Sequence, residues 1–325
     1  MSRAPRPPRI WALLDHRTGN RNQVLGVAEA LGLSFKTREL EYSKASAFPN
    51  VVLGASFAGL TRSSWTKLVP PWPDVVLAAG RRSAPIARKI KQLTGNATFL
   101  VQLMYPGGAG LDEFGLVAAP RHGHMKKAAN VMATTGAPHR VTPDRLAEAA
   151  ERWAPQFAHL PHPRIAILMG GSTRRRRFAE VAARRLGRDV AATARAAGGA
   201  LLISTSRRTG SVGAALLAAA DAPRHVFAWG AKGENPFMGY LALADAIIVT
   251  GDSASMCTEA CATPAPVYIF APPETTQDKH ARLHAELYKL GLARPFAGRI
   301  EPWTHPPLNP AADIADEIRR RLGIE

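Results

Sequence analysis

Short apolar runs rich in β-branched residues alternate with longer amphipathic segments along the whole chain. Val75–Ala79 and Ala246–Val249 have the length and composition of strands that are buried on both faces. Pro143–Phe157 has the apolar spacing of an amphipathic helix. Because strands alternate with helices in both halves, the pattern predicts an α/β protein with two Rossmann-like domains, each built on a doubly wound parallel sheet.

The length of 325 residues fits two domains of ordinary size. A polar, Pro-containing stretch at 159–164 is expected to be the linker between them. The predicted division is a disordered, basic, Pro-rich N-terminus at 1–9, a first domain at 10–158, the linker, a second domain at 165–310 and a C-terminal helix at 311–325. Packing of that helix back on the first domain is one option.

The composition of the chain indicates which partners and which cellular compartment to expect. The formal net charge of +17 attracts anions such as nucleic acid, anionic lipid or phosphorylated small molecules. No apolar run approaches the roughly 18 residues of a membrane span, no secretory signal is recognisable, and two cysteines fit a reducing compartment. We therefore expect a cytoplasmic protein, with peripheral attachment to the inner membrane as an option. No nucleic-acid-binding motif supports a specific nucleic-acid partner.

Polar turns rich in Gly and Arg follow several of the predicted strands. Such turns lie at the carboxyl ends of parallel strands, where α/β sheets bind ligands and where backbone N–H groups and guanidinium groups suit phosphate. We expect the turns to line a cleft between the domains. They contain Asp15, His16, Arg17, Gly19, Asn20, Gln23, Gly80 and Arg81 in the first half, and Gly170, Gly171, Ser206, Arg207 and Gly251 in the second.

The stretch from Asp245 to Ile269 reads as strand, polar turn, helix, turn and strand. Ser253 is placed to cap a helix over 254–262. Glu259 then lies at the end of the second helical turn, within reach of a ribose hydroxyl near a bound phosphate. The alternative is an ordinary strand–helix–strand unit with a capped helix.

Several chemistries lack their motifs. The dinucleotide-binding and Walker glycine patterns, the Gly-x-Ser-x-Gly elbow and a Tyr followed four residues later by Lys are all missing from the sequence. Asp-x-Asp is missing too, so charge on a departing diphosphate would be met by Arg and helix N-termini without a metal. His122-x-His124 lacks further ligands at metal-binding spacing, which favours a polar or acceptor-side loop.

Two further stretches allow more than one interpretation. Arg174–Arg177 is either a solvated helix face or a phosphate-binding element. The region from Glu41 to Trp72 has no clear periodicity, and Trp65–Trp72 is either a packed loop or an apolar lip that touches a membrane or a hydrophobic acceptor.

Five motifs in order resemble the mitochondrial-fission "elongated mitochondria" family, which has widespread bacterial members. The resemblance spans nearly the whole chain. The motifs are Asp15–Gln23, Pro70–Arg82, Thr205–Thr209, Glu234–Phe237 and Thr250–Ala260.

The resemblance implies a fold like that of the two-domain GT-B glycosyltransferases. Thr250–Ala260 is also similar to the donor segment of the cell-wall enzyme MurG, which implies that Ser253 and Ser255 face a diphosphate and that Glu259 holds the ribose. Two departures are visible: the turn Asp15–Gly19 is shorter than in MurG, and Asp252 adds a negative charge that Arg207 or Arg208 must offset. Plant members are linked to recruiting a dynamin-related partner.

The function expected from the sequence is a metal-independent, GT-B-type glycosyltransferase that uses a nucleotide-diphosphate sugar and no cofactor. Asp15 is the predicted general base, with His16 and His122 as alternatives, while Arg17 and Arg81 steady charge across the cleft. The predicted acceptor is of lipid-linked or envelope type. The alternatives are a non-catalytic adaptor for a protein or membrane partner and a non-hydrolysing nucleotide-sugar epimerase. The predicted donor residues are Gly170, Gly171, Ser206, Arg207, Gly251, Ser253, Ser255 and Glu259, and the predicted cleft residues are Gly19, Asn20, Gln23, Gly80, Arg81 and Asn235.

Overall fold

The computed structural model describes residues 6–324, which form two compact units. The first unit extends to Arg140 and includes the C-terminal segment from Pro310, and the second is Val141–Asn309. Of the N-terminal segment 1–9, for which we expected disorder, residues 1–5 lie outside the described part. Arg6 is ordered by an ion pair with Asp74 (2.8 Å).

The first unit is built on six parallel strands in the order β2-β1-β3-β4-β5-β6. Its elements up to the second unit are β1 (Ile10–Asp15), α1 (Thr18–Ala30), β2 (Phe35–Leu40), α2 (Asn50–Leu53), α3 (Arg62–Trp65), β3 (Val75–Ala79), α4 (Ala84–Leu93), β4 (Phe99–Leu103), β5 (Leu116–Pro120) and β6 (Val131–Thr134).

The second unit has six parallel strands in the order β12-β11-β10-β7-β8-β9. Its elements are α5 (Pro143–Phe157), β7 (Arg164–Met169), α6 (Glu180–Ala196), β8 (Ala200–Thr205), α7 (Val212–Ala219), β9 (Arg224–Phe227), α8 (Phe237–Leu243), β10 (Ala246–Thr250), α9 (Ala254–Ala260), β11 (Val267–Phe270), α10 (Asp278–Lys289) and β12 (Arg294–Pro295). The last helix, α11 (Pro310–Leu322), packs on α1 of the first unit.

Every residue of β1, β3, β7 and β10 is buried, because helices cover both faces of each sheet. In the first unit, one face packs against Val27 of α1 and Ile314 of α11, and the other against Ile86 of α4. The prediction of two Rossmann-like parallel sheets is confirmed.

The boundary between the units differs from the predicted one at residue 158. Helix α5 belongs to the second unit because its apolar face packs on α8: the Phe157 ring lies 5.5 Å from the ring of Tyr240. The stretch 159–164 also lies inside the second unit. There, Asp245 Oδ2 accepts a hydrogen bond from Arg164 N (2.6 Å) and contacts His162 Nδ1 (2.6 Å).

Two helices differ from the sequence pattern. Helix α1 begins at Thr18 rather than at residue 24, so Gly19, Asn20 and Gln23 lie on its first two turns instead of in a loop. Arg174–Arg177 precede helix α6, which the sequence analysis did not predict, and they form a turn rather than a helix face. The buried stripe of α6 consists largely of alanines, which give a weak periodic signal.

The strand orders locate the positions where ligands bind in sheets of this kind. The chain reverses its direction of strand addition between β1 and β3 in the first sheet, and between β7 and β10 in the second. Crevices form at the carboxyl ends of strands at such switch points. The loops after these four strands are therefore the expected positions of ligand-binding sites.

Replacing Phe157 with Ala should lower the free energy of unfolding by about 3–5 kcal/mol, because this ring is fully buried between α5 and α8. Urea denaturation measures the change. Glu151→Ala, at an exposed position of the same helix, is the control and should alter stability by less than about 0.5 kcal/mol. Equal effects of the two substitutions would contradict the packing of α5 described above.

Candidate functional site

The loops after β7 and β10 are joined at the switch point of the second unit. Gly170 N donates to Thr250 Oγ1 (2.8 Å), and Gly171 N donates to Asp252 Oδ2 (2.9 Å). A Cβ atom on Gly170 would collide with the Asp252 carboxylate. Glycine is therefore required at this position for a steric reason, whatever ligand binds nearby.

Asp252 is buried, with 3% of its surface exposed, and its charge is offset by Arg208. Arg208 Nη1 donates to Asp252 Oδ2 (2.7 Å) and to the carbonyl oxygen of Gly171 (3.1 Å). Of the two arginines that the sequence offered as partners, Arg208 forms the pair. Arg207 is exposed, and its side chain has no hydrogen bond or ion pair with any residue in the described range.

Several backbone groups expected to bind phosphate already have partners inside the unit. Besides Gly170 and Gly171, Gly251 N donates to Phe270 O (2.9 Å) and Ser206 N donates to Thr209 Oγ1 (2.9 Å). The Ser206 hydroxyl donates to Gly170 O (2.8 Å). These four residues hold the loops together, which corrects the expectation that their amide groups are free for a ligand.

The remaining predicted donor residues have open polar groups. Ser253 Oγ caps α9 by accepting a long hydrogen bond from Met256 N (3.5 Å), which leaves its O–H free to donate. Ser255, one residue into the helix, is partly exposed. Glu259 is partly exposed on the same helix, and among residues 6–324 no group donates a hydrogen bond to its carboxylate.

Burial raises the pKa of Glu259 to about 7. A carboxyl group in this state lacks the donors that would stabilise its charge. Hydroxyl groups of a ligand, such as those of a ribose, would supply such donors.

His284 of α10 is a residue that sequence reasoning missed. Its Nε2 lies 2.9 Å from the carbonyl oxygen of Gly251, so the imidazole holds the turn that follows β10. Burial lowers the pKa of His284, which favours the neutral form that donates one hydrogen bond. Its position one helical turn after His280 gave no signal that separates it from an ordinary core histidine.

In the first unit, Asp15 is buried at the end of β1 and both of its oxygens have partners. Oδ1 accepts from Arg17 N (2.9 Å), and Oδ2 accepts from Asn20 Nδ2 (3.0 Å). These bonds give Asp15 a structural part at the start of α1, whereas His16 and Arg17 are exposed.

Arg81 and Arg82 have different surroundings. The Arg81 guanidinium donates to the carbonyl oxygens of Ser46 (2.8 Å) and Phe48 (2.6 Å), so it anchors the chain before α2 rather than facing a ligand. Arg82 lies 3.7 Å from Asp15 Oδ2 and over the ring of Tyr42 at 4.2 Å. Burial and the nearby Arg17 lower the pKa of Arg82.

The other predicted cleft residues have structural contacts. Asn20 Nδ2 lies close to Gly80, where a positive φ of 81° and little space favour glycine. Gln23 is buried with its Nε2 3.8 Å from Met104 Sδ, and Gly19 is exposed. Asn235 Oδ1 accepts from Phe237 N (3.1 Å) at the start of α8.

Between residues 6 and 324, no cluster of three or more His, Cys, Asp or Glu side chains has the proximity of a metal site. Within that range, no helix combines the length and the apolar character that crossing a bilayer requires.

A sequence profile of the family "Mitochondrial fission ELM1" matches residues 18–322. The chain belongs to this family. It is 30% identical to the Arabidopsis thaliana "Mitochondrial fission protein ELM1", over 83% of this chain and 69% of that protein. It is also 27% identical to "Uncharacterized protein RP120" of Rickettsia prowazekii (strain Madrid E), over 97% of this chain and 99% of the relative.

Solved structures with a similar fold include MurG of Acinetobacter baumannii and a UDP-GlcNAc 2-epimerase of Methanocaldococcus jannaschii. MurG aligns with a TM-score of 0.51 and 15% identity over 97% of this chain and 100% of MurG. The epimerase aligns with a TM-score of 0.60 and 12% identity over 97% of this chain and 99% of the epimerase. The fold of this ELM1-family chain is therefore GT-B-like.

Arg208→Ala should destabilise the protein by about 1–3 kcal/mol, because it leaves the buried Asp252 carboxylate without its cation. Arg207→Ala is the matched control and should change stability by less than about 0.5 kcal/mol, since that side chain is exposed and unbonded. Urea denaturation of both variants checks the difference. Similar losses would mean that the ion pair contributes little.

The raised pKa of Glu259 predicts a pH dependence of stability. Between pH 4.5 and about 7 the folded state binds more protons at this carboxyl than the unfolded state, so its contribution to stability falls as pH rises. Glu259→Gln removes this loss, and the variant should gain stability relative to the parent protein as pH increases through that window. Urea denaturation at pH 4.5 and pH 8 measures it. A stability difference independent of pH would contradict the raised pKa.

Proposed function

We propose that the second unit binds a nucleotide-diphosphate sugar and that the protein transfers the sugar to an acceptor without a metal ion. The observation that carries this proposal is Glu259: a partly exposed carboxylate without a hydrogen-bond donor among the described residues, on the helix that follows the switch-point strand β10. A carboxylate in this state suits two adjacent ribose hydroxyls, which would each donate a hydrogen bond to it.

The diphosphate would lie near Ser253, Ser255 and Arg207. The two hydroxyls can donate hydrogen bonds, and Arg207 has an unpaired guanidinium on the neighbouring loop after β8. Charge-assisted hydrogen bonds from a guanidinium group are stronger than neutral ones, so they can bind a diphosphate without a metal ion. The buried Asp252 does not oppose this charge strongly, because Arg208 already pairs with it.

The acceptor would bind at the switch point of the first unit, between β1 and β3. A general base there must reach a hydroxyl proton of the acceptor. His16 is exposed beside the exposed Arg17, while both oxygens of Asp15 are engaged. These contacts favour His16 as the base and Asp15 as the residue that positions its turn.

One solved structure of similar fold contains a nucleotide sugar. The UDP-GlcNAc 2-epimerase of Neisseria meningitidis, determined with UDP-GlcNAc bound, aligns with this chain with a TM-score of 0.51 and 12% identity. At this identity the likeness supports the scaffold only. The residues that would bind the sugar nucleotide are those of this chain.

The direct test is calorimetric titration of UDP, UDP-sugars, GDP-sugars, CMP-sugars and TDP-sugars into the whole chain. We expect one class to bind, and Glu259→Ala to weaken it about tenfold or more through loss of the ribose contacts. Glu148→Ala, at an exposed position of α5, is the control and should leave affinity unchanged.

No binding by any nucleotide sugar would reject the donor site. Turnover of a bound sugar nucleotide in the absence of any acceptor would identify an epimerase instead of a transferase.

An adaptor that binds a membrane or protein partner is the second candidate. Family membership favours it, and so does one observation in the first unit: Phe48, Val51 and Val52 are large, exposed apolar residues within five positions, at 57%, 76% and 69% exposure. Clusters of this kind mark interaction surfaces. Trp65 and Val69 are also exposed, whereas Leu68 is buried and Trp72 packs on Trp11. If the protein is an adaptor, Glu259→Ala should leave binding of the membrane or protein partner unchanged, whereas Val51→Asp should weaken it.

A further inference from the structure

Four consecutive arginines, Arg174–Arg177, follow the loop after β7. All four are exposed. Their side chains form no hydrogen bond and no ion pair with any residue that the structure describes. The proposed sugar-nucleotide site does not use them.

The turn that carries these arginines is fixed by hydrogen bonds rather than loosely attached. Thr173 N donates to Arg176 O (2.8 Å), and Arg176 N donates back to Thr173 Oγ1 (3.1 Å). Phe178 N donates to Ser172 Oγ (3.1 Å), and Gln277 Nε2 donates to Thr173 Oγ1 (2.6 Å). Phe178 is 1% exposed and fixes the far end of the turn in the core.

No carboxylate in the described part of the chain forms an ion pair with these four arginines. Glu180, the next acidic residue along the chain, pairs with Arg184 (2.7 Å), and Asp252 pairs with Arg208. Four guanidinium groups on one rigid turn repel one another, and a bound anion relieves that repulsion. The planar donor fork of Arg matches phosphate oxygens.

The turn lies beside the proposed diphosphate site without being part of it. Ser172 N donates to Arg208 O (3.2 Å), which joins the turn to the loop that carries Arg207. A diphosphate met by Arg207, Ser253 and Ser255 does not need four further cations. The charge of Arg174–Arg177 is suited to binding phosphate groups other than this diphosphate.

We propose that Arg174–Arg177 bind the phosphate groups of a second ligand, separate from the diphosphate of the sugar nucleotide. The phosphate binding itself does not depend on the proposed function.

The test uses the whole chain and tripolyphosphate as the probe, measured by calorimetry. Replacing all four arginines with Gln should raise the dissociation constant about tenfold or more. The control removes the same charge from exposed, unbonded positions of the first unit: Arg62, Lys67, Lys126 and Lys127, each to Gln. It should weaken binding by less than about threefold, since the lost charges act only at long range.

Both variants should keep the unfolding midpoint of the parent protein, because none of the replaced side chains has a partner in the described part of the chain. A double variant, Arg175→Gln with Arg176→Gln, should bind with intermediate affinity and covers the case in which the fourfold variant misfolds. Equal weakening by the turn and control substitutions, or no weakening by the turn substitutions, overturns the proposal.

Two further arms separate the sources of phosphate and the two proposals. If the parent protein co-sediments with phosphatidylcholine vesicles that contain phosphatidic acid and the turn variant does not, the ligand is a lipid phosphate. Tripolyphosphate binding without vesicle binding assigns a soluble ligand. Glu259→Ala should leave tripolyphosphate affinity unchanged. If no nucleotide sugar binds while tripolyphosphate still depends on the turn, the donor proposal fails and the phosphate site stands.

Discussion

The structure of the second unit at its switch point depends on one buried carboxylate. Asp252 accepts hydrogen bonds from the Gly171 amide and from the Arg208 guanidinium. These bonds join the loops after β7, β8 and β10. A buried charge is tolerated only with such partners. The requirement for glycine at position 170 and for arginine at 208 follows from it. Among the side chains left without partners in the described part of the chain are Glu259 of α9, Arg207 of the loop after β8 and Arg174–Arg177 of the turn after β7.

Much of the fold could be predicted from the sequence. The buried strand residues Val75–Ala79 and Ala246–Val249 are apolar throughout, and their parallel pairing follows from the alternation with helices. The start of α1 could not be predicted in the same way, because its first turns carry Asn20 and Arg21 and resemble a loop. The assignment of α5 to the second unit depends on contacts with Tyr240, which lies 83 residues beyond Phe157 and is invisible to local periodicity.

The sequence could predict which loops form the candidate site, but not which polar groups in those loops remain without a hydrogen-bond partner in the protein. Sequence spacing placed Gly170, Gly171, Gly251 and Ser206 at strand ends, yet it carries no information on whether their polar groups have internal partners. The choice between Arg207 and Arg208 for Asp252, and between Arg81 and Arg82 beside Asp15, is set by which neighbour points inward after a strand. In each pair of arginines, one side chain lies against a buried carboxylate and its neighbour is exposed to solvent.

Helix α11 has a consequence for how the protein is made. Ala311, Ile314, Ala315 and Ile318 are part of the core that α1 and β1 form, although the whole second unit separates them from those elements in the sequence. During translation, one face of the N-terminal sheet is therefore covered by α1 but not by α11 until some 170 further residues have left the ribosome. The second unit, although synthesised later, contains its whole core within one continuous stretch and can complete that core before the first unit does.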